Sequence, residues 1–122
     1  MREYQGKTLS WHVTDGTVEL LLDHAPCNEI GLAMLADLEC FADALNVLES
    51  QAHVLIVSSA RESGFSAGAD LRALYRESQK LPVPQRVSAV REFLERIHRV
   101  LNRIDVSPLT TIAAVHGVTF GG

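Results

Sequence analysis

The hydrophobic period of this chain switches between strand-like and helix-like spacing along its length, so only a mixed α/β architecture accommodates it. Residues 7–14 (KTLSWHVT) and 17–23 (TVELLLD) are strand-length apolar runs separated by Asp15-Gly16. A tight hairpin turn needs positive φ at both central positions, which this pair tolerates. A loop at 24–29 (HAPCNE), broken by Pro26, leads to residues 31–49, where Met34, Leu38, Phe41, Leu45 and Leu48 recur at helical steps. Asp37, Asp43 and Asn46 fall elsewhere on that helix. Residues 53–58 (HVLIVS) form a short β-branched run, expected as a buried strand parallel to a neighbour. A short helix is expected over 70–79, with Leu71, Leu74 and Tyr75 on one side. Beyond Pro82 and Pro84, a longer helix spans about 84–105. Its stripe is Val87, Val90, Leu94, Ile97, Leu101 and Ile104, with Glu92/Arg96 and Glu95/Arg99 as i,i+4 ion pairs on the solvated side. Ser107-Pro108 ends it. A last buried strand is expected at 109–115 (LTTIAAV). The coarse order is β-β-α-β-α-α-β, in one domain at most.

At 122 residues the chain can bury one small core. Its net charge of −4 and lack of a basic run argue against non-specific nucleic-acid binding. Cys27 and Cys40 are too few for a disulfide framework, and read as reduced thiols of a cytoplasmic protein. His24-x-x-Cys27 is the only close His/Cys pair, and a metal site would need a further ligand, so no metal is expected. The opening MREYQGKTLSW lacks the apolar core of a signal peptide, and no apolar run approaches the ~20 residues of a membrane span.

Gly64-Phe65-Ser66-Ala67-Gly68 spells G-x-S-x-G, the pattern of a hydrolase nucleophile elbow. That elbow requires the serine on a sharp turn straight out of a strand, yet polar residues 59–64 intervene here. The only glycine-rich candidate for a second oxyanion element, 116–122, lies downstream rather than upstream. Asp105 and His116 follow the serine in triad order, but one closes a charged helix and the other borders the last strand. The alternative is a device made of backbone. Gly64 and Gly68 allow close approach, Ser66, Ala67 and Ala69 leave the peptide edge uncovered, and a helix starts at about Asp70. The first amides of a helix lack internal partners and favour negative charge. The Ala69 N–H is therefore a candidate donor to an oxygen gaining charge. A buried strand likewise enters His116-Gly117 and leads to Gly121-Gly122, so two amides from separate loops could share one oxygen, as in an oxyanion hole.

The motifs in order resemble the enoyl-CoA hydratase/isomerase (crotonase) superfamily. The matching stretches are the hairpin before His24-Ala25-Pro26-Cys27-Asn28, the helix from Gly31, the strand His53-Val54-Leu55-Ile56-Val57, Phe65-Ser66-Ala67-Gly68-Ala69-Asp70-Leu71, and Pro108 through Gly122 (PLTTIAAVHGVTFGG). The resemblance implies the N-terminal part of a crotonase-like spiral of repeated β-β-α units, over residues 1–122. It implies an acyl-CoA thioester as substrate, its carbonyl between the backbone amides of Ala69 and Gly122, with enolate-like charge stabilised there. Ala25, Pro26, Cys27, Ala67, Asp70, Leu71 and Arg72 match CoA-binding positions. No cofactor is implied beyond coenzyme A as part of the substrate. The complete protein would be a cytoplasmic lyase or isomerase of fatty acid metabolism, assembled as a homo-trimer or hexamer.

The sequence also departs from that pattern. His24-Ala25-Pro26 replaces the usual Arg-Pro opening, Glu29 stands where an apolar residue is common, and Thr119 replaces a smaller residue. Members carry their general acid/base carboxylates after the second glycine loop, where this chain ends. The chain is therefore expected to be truncated, with a complementary C-terminal segment. Two alternatives accompany this reading: a non-catalytic acyl-CoA-binding fragment or scaffold, and a serine hydrolase using Ser66.

Overall fold

The structure, a computed structural model, describes residues 3–121. A five-stranded sheet in the order β1-β2-β3-β4-β6 forms its base. Strands β1 (Glu3–Gln5), β2 (Leu9–Thr14) and β3 (Thr17–Leu22) are antiparallel neighbours. The β2–β3 turn is the expected one, with Asp15 at φ 52° and Gly16 at φ 75°. Strands β4 (Val54–Ser59) and β6 (Thr110–Ala113) add in parallel, each after a helical crossover. A two-stranded parallel sheet pairs β5 (Gly64–Ser66) with β7 (Val118–Thr119).

Helix α1 (Leu32–Leu48) lies on the sheet along the face its spacing marked: Met34, Leu38, Phe41, Leu45 and Leu48 are all buried. Phe41 meets Trp11 edge-on, with ring centroids 5.2 Å apart, and Trp11 stacks on Tyr4 at 4.2 Å. Truncating a fully buried phenylalanine such as Phe41 costs about 3–5 kcal/mol. Asp37, placed off this face by its spacing, is buried too. Its carboxylate accepts bonds from the Thr8 backbone N–H at 2.8 Å and the Thr8 hydroxyl at 2.7 Å, and so ties the β1–β2 turn to α1.

Helix α2 (Leu71–Gln79) is followed by α3 (Val83–Asp105), with Pro82 at its N-cap and Pro84 in its first turn. The buried face of α3 is centred on Phe93, Ile97 and Val100, a rotation from the expected stripe that leaves Val87 exposed. Two of its arginines reach across to α1 and its C-cap instead of along their own helix. Arg96 pairs with Glu39 through two bonds of 2.6 and 3.2 Å, and Arg103 donates to Glu49 at 2.7 Å. The expected Glu92/Arg96 and Glu95/Arg99 pairs are not among the ion pairs of the described residues. On α2 Leu74 packs toward the core, while Leu71 and Tyr75 are exposed. Strand β6 is exposed at all four positions, contrary to the buried strand expected there, because it is the sheet's edge and nothing among the described residues covers it. Among those residues no helix is long and apolar enough to cross a membrane.

Candidate functional site

Three loops meet beyond the ends of β3, β4 and β6, where the parallel part of the sheet directs its chain exits. Asn28 is the hub. It is fully buried, takes a left-handed backbone (φ 54°) that asparagine tolerates better than most residues, and uses its whole side chain. Its Oδ1 accepts from the His24 N–H at 2.8 Å, and its Nδ2 donates to Ser59 Oγ at 2.8 Å and to the Phe65 carbonyl at 2.9 Å. Ser59 in turn donates to the Gly64 carbonyl at 2.7 Å and accepts from the Arg61 N–H at 3.0 Å. The polar segment after β4 is thereby folded back on itself and delivers β5 beside residues 24–28. Two more bonds join these loops: the Ala67 N–H to the Cys27 carbonyl at 2.9 Å, and Ser63 Oγ to the Pro26 carbonyl at 2.7 Å.

Ser66 lies inside this assembly rather than at its surface. Its hydroxyl donates to the Asn28 carbonyl at 2.9 Å and accepts from the Gly68 N–H at 3.0 Å. A buried hydroxyl with both roles filled by backbone, and no histidine bonded to it, is not an activated nucleophile. His116 is occupied elsewhere: its Nε2 lies 2.9 Å from the Arg61 carbonyl.

The orientation of the next peptide follows from its partners. The Gly68 carbonyl accepts from the Ile30 N–H at 2.8 Å, and the Asp70 N–H donates to the Ile30 carbonyl at 3.0 Å. In a trans peptide the N–H points opposite to the C=O. The Ala69 N–H therefore points away from Ile30. The amides of Ala67, Gly68, Asp70 and Leu71 are all engaged, whereas that of Ala69 has no partner among the described residues. Asp70 is the N-cap of α2, and its Oδ1 accepts from the Ala73 N–H at 3.0 Å. The helix terminus is thus already answered by a carboxylate, and the Ala69 amide precedes it.

The second glycine loop closes on the first through bare backbone. Gly68 has φ 82°, and a Cβ there would stand 2.8 Å from the Phe120 carbonyl oxygen and 3.0 Å from Gly121 Cα. The Phe120 N–H donates to the Ser66 carbonyl at 2.9 Å. A Cβ on Gly121 would lie 3.9 Å from the Ala69 nitrogen, so the second loop passes directly beside the free amide. The Gly122 amide, the other expected donor, lies outside the described residues.

Two apolar cavities adjoin this point. One of about 380 Å³ is walled by Gly31, Asp70, Leu74, Leu81 and Phe93, between α2, α3 and the start of α1. The other, about 280 Å³, is lined by Leu22, Met34, Phe65, Gly68, Ile104 and Thr119, beneath the two loops. Of the remaining expected positions, Ala25 and Pro26 are exposed and joined by a cis peptide, Cys27 is buried, and Leu71 and Arg72 are exposed on the first turn of α2. Thr119 is exposed, its hydroxyl 3.4 Å from the Gly117 carbonyl.

A family model described as enoyl-CoA hydratase/isomerase matches residues 18–122. The chain belongs to the enoyl-CoA hydratase/isomerase family. Across 97 residues it is 29% identical to an enoyl-CoA isomerase/hydratase of Zymoseptoria tritici, an alignment covering 78% of this chain and 29% of that protein. Among solved structures, an enoyl-CoA hydratase from Bacillus anthracis is similar at 27% identity and TM-score 0.72, over 91% of this chain and 40% of the other. An enoyl-CoA hydratase/isomerase from Xanthobacter autotrophicus Py2 is similar at 25% identity and TM-score 0.75, over 93% and 40%. The crotonase fold expected from the sequence is thus the fold of this family member. The chain spans about 40% of the length of those two solved relatives.

Sequence reasoning covered Asn28 and Ser59 only as parts of longer stretches, passed over Ile30, and gave none of them a role. The one local signal was an asparagine directly after the Pro26 loop and before a helix, a place that favours a left-handed residue.

Proposed function

We propose that these residues bind an acyl-CoA thioester and polarise its carbonyl through the Ala69 N–H, with the Gly122 N–H as second donor. The observation that carries this reading is the Ala69 amide, which has no partner among the described residues while its neighbours are all bonded. A fixed donor aimed at an oxygen that gains charge stabilises the enolate-like state more than the ground state, because its orientation is prepaid in folding. Family membership supports the same chemistry. The loop carrying Ala25, Pro26 and Cys27 would border the coenzyme, with Ala67, Asp70, Leu71 and Arg72 beside it. The apolar cavity sharing Asp70, Leu74 and Phe93 fits an acyl chain, since it begins one residue from the amide.

Binding and polarisation are the part of the reaction assigned here. Asp70 is spent as a helix cap, and Glu62 is exposed on the segment before the loop, so neither is given the role of general acid or base. Hydration or double-bond shift belongs to this reading for the complete protein, as does assembly into trimers. Calorimetric titration with crotonyl-CoA and with free CoA tests the binding. The thioester should bind more tightly than CoA; failure of both to bind contradicts the proposal.

A further inference from the structure

We propose that Ser66 is a positioning residue: its hydroxyl holds the Gly68–Ala69 peptide in the orientation that presents the Ala69 N–H to a carbonyl oxygen. The inference rests on the reading of the Ala69 amide given above. Gly68 has φ 82° and no side chain to restrict it, so its conformation depends on what its own two polar groups hold. The Ile30 N–H fixes the carbonyl side. The nitrogen side is fixed by Ser66 Oγ at 3.0 Å, two residues back along the chain. The Ser66 hydroxyl is itself aimed by the Asn28 carbonyl at 2.9 Å, and Asn28 is locked by three side-chain bonds. A continuous run of bonds therefore passes from Asn28 through Ser66 and Gly68 to the peptide that bears the free amide. Without the hydroxyl, Gly68 keeps one of its two restraints, and its buried N–H loses its acceptor.

A purely structural serine and a positioning serine differ in what they do to the carbonyl. The test uses crotonyl-CoA labelled with carbon-13 at the thioester carbonyl, read by infrared difference spectroscopy, alongside dissociation constants for crotonyl-CoA and for CoA. In the wild-type chain the bound carbonyl stretch should fall below that of the free thioester. In Ser66→Ala the affinity for CoA should stay within about twofold, while the preference for the thioester falls about tenfold, the worth of one well-directed hydrogen bond. The stretch should return toward the free value. Ser66→Cys, with weaker bonds in nearly the same volume, should lie between, and it carries the same comparison if the alanine variant does not fold. Full retention of the shift and the preference in the folded variants overturns the inference. Absence of any shift in the wild type instead removes the Ala69 reading beneath it.

Discussion

The two glycine loops meet at one point but are held very differently. In the first, residues 64–71 are engaged from several sides: by Cys27 and Asn28, by Ile30, by the cap of α2 and by β7. The second, 116–121, is exposed at nearly every position and is tied down chiefly by the Val118 and Phe120 amides and by β5. Glycine content does not distinguish them. What differs is how many neighbouring groups take up the polar atoms around each glycine, and in the first loop they leave the Ala69 amide without a partner among the described residues.

This contrast is open to direct attack. The largest effect is expected from Ala69→Pro, which removes the N–H itself. It should abolish the preference for thioester over CoA in binding titrations, and lower turnover, where it is measured, about 100-fold or more. Asn28→Ala comes next. Several buried groups would lose partners at once, so thermal or denaturant unfolding should show a loss of about 2–4 kcal/mol. Gly68→Ala should cost about 2–3 kcal/mol, because the new Cβ meets Phe120 backbone at a left-handed φ. Gly121→Ala faces the looser side of the same contact, at 3.2 Å, and should cost about 1 kcal/mol. Equal losses for the two glycines would show that the loops are held alike.

The smallest effect lies far from the loops. The hydrogen bond from Arg103 is the chief cause holding the Glu49 carboxyl below its ordinary range, and Ser107 adds a second bond. A depressed folded-state value means that this stabilisation is complete above the ordinary glutamate range and is lost as pH falls through the folded value. Arg103→Gln should therefore cost about 0.5–1 kcal/mol near neutral pH, with the gap to wild type closing in acid unfolding titrations.

The long elements were legible in the sequence because their patterns are local. The Asp15-Gly16 turn and the α1 face from Met34 to Leu48 follow from spacing and turn chemistry alone. Strands β1, β5 and β7 span two or three residues each, too short to show alternation, and exist because of the partners they meet. The exposure of β6 could not be read from LTTIAAV, since burial depends on what covers a strand and not on its composition. Arg96 had a plausible partner, Glu92, on its own helix, and the packing of α3 on α1 pairs it with Glu39 instead, as it pairs Arg103 with Glu49. At the site, the G-x-S-x-G wording suggested two chemistries. Three-dimensional context speaks against the nucleophile reading by filling the Ser66 hydroxyl with backbone bonds.

The most direct test of the account is the Ala69 amide resonance itself. In nitrogen-15 correlated spectra of the labelled chain, adding acetyl-CoA should move the Ala69 amide proton strongly downfield, while CoA alone leaves it near its starting position. An Ala69 amide that responds identically to both ligands, or to neither, contradicts the claim that it is held free to receive a thioester carbonyl.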